Sequence, residues 1–82
     1  MPLYFIHFAS ADASYEDLEG VELADDAAAC DYAVRDARYL MREGFAKPGE
    51  WLAWRVEVVN EAGRRLLARS FSELANAHGR MH

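Results

Sequence analysis

At 82 residues the chain is long enough for one domain and too short for two. Hydrophobic residues make up 52% of it and aromatic residues 12%, which excludes a disordered chain. The net charge of −5 disfavours general nucleic-acid binding, and the single Cys30 excludes an intrachain disulfide, in keeping with a reducing, cytoplasmic setting.

Met1-Pro2-Leu3-Tyr4 carries no basic segment followed by a long apolar run, so no signal peptide is expected, and no apolar run is long enough to span a membrane. Leu3 to Phe8 reads as the first strand, with Tyr4, Ile6 and Phe8 on one face and Leu3, Phe5 and His7 on the other. Ala9 to Gly20 reads as an acidic loop, and Val21 to Leu23 as a short second strand. Asp25 to Glu43 reads as one amphipathic helix. Its stripe is Ala27, Cys30, Ala33, Val34, Ala37, Leu40 and Met41, and its solvated row is Asp31, Arg35, Arg38 and Arg42. Asp25 and Asp26 supply the N-terminal cap and charge, and Gly44 the stop. Val34, Leu40 and Met41 are expected to be nearly fully buried against Trp54, Val56 and Val58.

Pro48-Gly49 marks a turn into a third strand, Trp51 to Val59, and Asn60 to Gly63 is a hairpin turn with Gly63 left-handed. Arg64 to Arg69 is the fourth strand. Pairing Val58 with Leu66 and Val56 with Ala68 puts Trp54, Val56, Val58, Leu66 and Ala68 on the helix side. Arg55, Glu57, Val59, Arg65, Leu67 and Arg69 then lie outside. Ser70 and Glu73 form a capping box opening a short helix over Phe71 to Ala77, with His78 to His82 as a frayed tail. The fold class that follows is α+β, a small, mostly antiparallel β-β-α-β-β sheet with the long helix on one face and a short C-terminal helix.

Several motifs stand in an order seen elsewhere. They are Met1-Pro2-Leu3-Tyr4-Phe5-Ile6-His7, Asp17-Leu18-Glu19-Gly20-Val21-Glu22-Leu23, Ala37-Arg38, and Val56 to Arg64 followed by Phe71. The chain resembles a family of short proteobacterial proteins, common in rhizobia-like bacteria and classed as a domain of unknown function. The resemblance implies a compact β-β-α-β-β unit as the whole protein and brings no catalytic residues with it.

No catalytic, cofactor-binding or metal-binding residue is expected. His7 is read as a half-buried strand histidine, for want of a partner and a cleft. Cys30 is read as a small hydrophobe within its stripe. Asp12, Glu16, Asp17, Glu19 and Glu22 lack calcium-loop spacing, and His78 and His82 fit no zinc pattern. One helix covers one sheet face only, so Leu3, Phe5, His7, Val59 and Leu67 form a candidate interface, and the leading reading is a non-enzymatic binding domain that self-associates as a homodimer. A further protein partner is compatible with it. The second reading is a small regulatory module that binds nucleic acid or a small anionic ligand through Arg55, Arg65 and Arg69. An enzyme is the third.

Overall fold

The computed structural model describes residues 1–79, with side chains to 75. In chain order it has β1 (Leu3–Ala9), β2 (Ser14–Tyr15), β3 (Val21–Glu22), α1 (Asp26–Arg42), a 3-10 turn (Pro48–Glu50), β4 (Arg55–Asn60), β5 (Arg65–Ser70) and α2 (Phe71–Gly79). The strands form one antiparallel five-stranded sheet in the order β2-β1-β4-β5, with β3 also pairing β1. This is the expected α+β class, with one strand more. The loop after β1 turns back through Ser10, whose hydroxyl accepts the N–H groups of Asp12 and Ala13, and β2 pairs with Phe8 and Ala9. Residues 80–82, the end of the expected tail, lie outside the described residues.

α1 is delimited by chemistry at both ends. Asp25 caps it by accepting the Ala28 N–H at 2.8 Å, which satisfies a donor that has no partner within the helix. At the far end Phe45 N–H bonds Leu40 C=O and Gly44 N–H bonds Met41 C=O, a Schellman stop.

The face α1 presents to the sheet keeps Ala33 and Ala37 of the expected stripe and departs from it elsewhere. Ala29, Ala33 and Ala37, four residues apart, are wholly buried, whereas Ala27 is exposed. Val34 and Met41 flank this row and pack on the core half-buried; Leu40 is half-buried too. The expectation that all three are nearly fully buried is therefore corrected. Small side chains let the helix backbone approach Val56 and Val58, both at 0% exposure, and the larger residues are displaced to the sides. Tyr4 and Ile6 of β1, Ala46 after α1, and Phe71 and Leu74 of α2 complete the buried core. Arg38, expected in the solvated row, is half-buried and turns towards α2, where its guanidinium donates to the Leu74 carbonyl at 3.5 Å.

The β4–β5 hairpin forms as expected up to its first pair and then departs. Gly63 has φ +84, its N–H bonds Asn60 C=O, and the Asn60 side chain accepts the N–H groups of Ala62 and Arg64. Val59 lies opposite Arg65, but Val58 lies opposite Leu67, because Leu66 is an extra, bulged residue. The bulge lets both Leu66 and Leu67 pack on the core. It also reverses the faces of the rest of β5: Leu67 and Arg69 sit opposite the core residues Val58 and Val56, and Ala68 sits opposite outward-facing Glu57. Gly63→Val should destabilise the hairpin by at least ~1 kcal/mol, since a β-branched side chain resists positive φ; urea melts measure it.

Trp51 to Trp54 is not strand. Pro48 opens a 3-10 turn in which Glu50 accepts the Lys47 N–H, and the Trp51 indole donates to Ala46 C=O at 3.0 Å. Trp54 then joins Phe8, Tyr15, Phe45 and Phe71 in an aromatic cluster at one end of the sheet. Tyr15 stacks on Trp54 with centroids 5.8 Å apart, and Phe45 meets Trp54 edge-on at 5.0 Å. Ser70 and Glu73 cap α2 reciprocally, as the Ser-x-x-Glu spacing predicts, at 2.9 and 3.0 Å. The Ser70 N–H it accepts holds the Glu73 carboxyl below its ordinary value.

Tyr4 ties β1 to the start of α1. Its hydroxyl donates to the Asp26 carboxylate at 2.8 Å, and burial first, then that carboxylate, push the hydroxyl up to about 12. The folded state thus holds this proton more tightly than the unfolded chain, whose value is near 10.0. Stability associated with Tyr4 is present below that value and is lost as pH rises through about 12. Urea melts across that interval should show this alkaline loss, and Tyr4→Phe should flatten it.

The outward sheet face

The sheet face away from α1 holds the expected interface residues, with one exception. Strand pairing aligns Phe5 with Val59 and His7 with Glu57, and Leu3 lies on the same side. Leu67 belongs to the other face for the reason given above, and Ala68 takes the outward place beside Glu57. Leu3, Phe5, His7, Val59 and Ala68 are all half-buried.

Part of that cover comes from the chain itself. The segment Asp17 to Gly20 forms a strap over β1, and Asp17 organises it. One oxygen of its carboxylate accepts the Glu19 and Gly20 N–H groups at 3.2 and 2.9 Å, and the other accepts the β1 amide of Ile6 at 3.4 Å. The Asp17 N–H donates to His7 Nδ1 at 3.0 Å. His7 Nδ1 thus accepts a backbone N–H, and the side chain is half-buried on its strand. Gly20, at φ +80, passes so close that a Cβ there would lie 2.9 Å from Leu3 Cγ and 3.1 Å from Phe5 Cε1. Sequence reasoning read Asp17 only as a solvated loop acid. The signal available was Asp-x-x-Gly, a side chain that closes its own turn ahead of a residue free to take positive φ.

The arginines do not assemble as expected. Arg55 Nε meets Glu57 Oε2 at 2.6 Å and Arg65 Nη1 lies 3.8 Å from the same oxygen, so these two cations converge on a carboxylate. Arg69 lies opposite Val56 on the helix-side register, and its guanidinium donates to its own neighbour's carbonyl, Ala68 C=O. The three therefore do not form one anion-binding cluster. Cys30 is half-buried on α1, and burial first, then Asp26 and Asp31, push its thiol up, which disfavours the reactive thiolate. Among the described residues no group of three or more His, Cys, Asp and Glu could hold a metal ion, and no helix is long and apolar enough to cross a membrane.

A family profile described as a domain of unknown function, DUF6894, matches residues 3–72. The chain belongs to this family. The DUF6894 match runs from the start of β1 into the first turn of α2, so it takes in every strand, the strap and the outward face. No match was found to a curated protein or to a solved structure.

Proposed function

We propose that this DUF6894 domain is a non-enzymatic interaction domain that works as a homodimer in the bacterial cytoplasm, with the outward sheet face as its contact surface. The observation that carries the reading is the distribution of charge around that face. Phe5 and Val59 lie side by side on it, one pair along from His7 and Glu57. On the β1 side runs the acidic strap with Asp17 and Glu19, preceded by Glu16; on the β5 side stand Arg64 and Arg65. A twofold axis in the plane of the face, parallel to the strands and passing by the Phe5–Val59 pair, brings the acidic strap of one copy to the arginines of the other. Such a patch is complementary to itself, which is what an isologous dimer needs. Half-buried Leu3, Phe5, Val59 and Ala68 supply the apolar part of the contact, and Glu57, next along β4 from Val59, enters it already paired with Arg55 and Arg65. The cytoplasmic setting is supported by the single cysteine.

Sedimentation velocity at micromolar concentration tests the reading. The wild-type chain is expected at dimer mass. Val59→Glu is expected to raise the dimer dissociation constant at least about tenfold, with its circular dichroism unchanged. Arg65→Glu is expected to weaken the dimer as well. A monomer mass for the wild-type chain, or a Val59→Glu variant that dimerises as tightly, would overturn it.

A further inference from the structure

We infer that the groove between α1 and α2 is a binding site for a small amphipathic carboxylate, an organic acid with an apolar body. The groove has a volume of about 390 Å³ and is lined by Arg38, Met41, Arg42, Trp51, Leu74 and Ala75. That volume is within the range of small-ligand sites, roughly 300–1,000 Å³, which pair a mainly apolar lining with a few placed polar groups.

Arg38 is the group that asks for a ligand. It is half-buried, its Nε is out of contact with water, and that atom has no hydrogen-bond partner among the described residues. A guanidinium has five N–H donors, and the bond described for this one is Nη2 to the Leu74 carbonyl at 3.5 Å, the long limit of a hydrogen bond. Neither ion pair among the described residues involves Arg38. Residues 76–82, Asn-Ala-His-Gly-Arg-Met-His, contain no Asp or Glu. The buried Nε–H lacks an acceptor, which is costly, and the outer N–H groups of the same guanidinium are the ones that can receive a carboxylate in the groove.

Arg42 stands one helical turn further along α1 and lines the same groove, with its guanidinium 5.9 Å from the Tyr39 ring centroid. A carboxylate at the Arg38 end, with Arg42 beside it, receives charge-assisted hydrogen bonds from planar donors. The body of the ligand then lies against Met41, Leu74, Ala75 and the Trp51 ring, whose indole N–H is already satisfied by Ala46. The groove is on the helix side of the sheet, so the proposal stands apart from dimerisation through the other face.

The test is a titration of the 15N-labelled full chain, at low salt, with sodium hexanoate, hexanamide and inorganic phosphate. Hexanoate is expected to give saturable shifts centred on Arg38, Met41, Arg42, the Trp51 indole N–H, Leu74 and Ala75. Hexanamide, of similar shape without the charge, is expected to bind on the order of tenfold more weakly, the loss of a charge-assisted hydrogen bond. Arg38→Met keeps the apolar stem and is expected to lose about tenfold or more in hexanoate affinity. Should Arg38→Met not fold, the exposed Arg42→Gln decides the arginine requirement through a loss of about threefold or more. Equal binding of hexanamide, phosphate binding as tight as hexanoate, or shifts that centre elsewhere would overturn the proposal.

Discussion

Phe71→Ala is expected to remove about 3–5 kcal/mol of unfolding free energy, the usual loss on truncating a fully buried phenylalanine. Phe71 has 0% exposure at the junction of β5 and α2. Its ring meets Phe8 edge-on at 6.1 Å and Phe45 at 6.5 Å, so its removal leaves a cavity inside the aromatic cluster. Its N–H bonds Trp54 C=O, which fixes the start of α2 to the chain entering β4 and hinders collapse into the void. A domain of 82 residues has a total stability of only ~4–12 kcal/mol, so this one change approaches global unfolding. Urea denaturation followed by tryptophan fluorescence reads it, since Trp54 reports on the cluster.

The second large effect is the opposite fault, overpacking. Ala33→Leu is expected to cost about 1–3 kcal/mol or more, because Ala29, Ala33 and Ala37 are all at 0% exposure and leave α1 no room to accept three added carbons. The same substitution at exposed Ala27 is expected to stay within about 0.5 kcal/mol. Half-buried Leu40→Ala should fall below the ~2–5 kcal/mol typical of a fully buried leucine. The ordering Ala33→Leu above Leu40→Ala above Ala27→Leu in chemical melts separates the observed helix face from the one periodicity predicted.

That difference shows what the pattern of residues carried and what it did not. The class of fold, the helix with its caps, the Gly63 turn and the Ser70–Glu73 box were legible because each rests on local chemistry at fixed spacing. The phase of α1 was legible at Ala33 and Ala37 but not in its first turn: Ala27, Ala28 and Ala29 are alike, so only tertiary packing chooses which alanine faces the sheet. The Leu66 bulge was hidden for a related reason. Strict alternation gave a clean separation of faces for β5, and nothing local marks the extra residue that reverses it, apart from two adjacent leucines that both have to be buried. The outward face was legible through β1 and Val59, and misread at Leu67 and Arg69 by that one-residue shift. Asp17 and Tyr15 were lost in a polar loop because their partners, Ile6, His7, Phe45 and Trp54, are supplied by other segments of the chain.

Dimerisation through the outward face is tested most directly by an isotope-filtered NOE experiment on an equimolar mixture of 13C,15N-labelled and unlabelled chains. Self-association about the Phe5–Val59 pair predicts intermolecular NOEs from the Val59 methyls to the Phe5 ring of the other copy, and from Ala68 to the same ring. Intermolecular NOEs confined to Tyr32 and Tyr39 on the exposed side of α1, or none at a concentration where sedimentation gives a monomer mass, would contradict it.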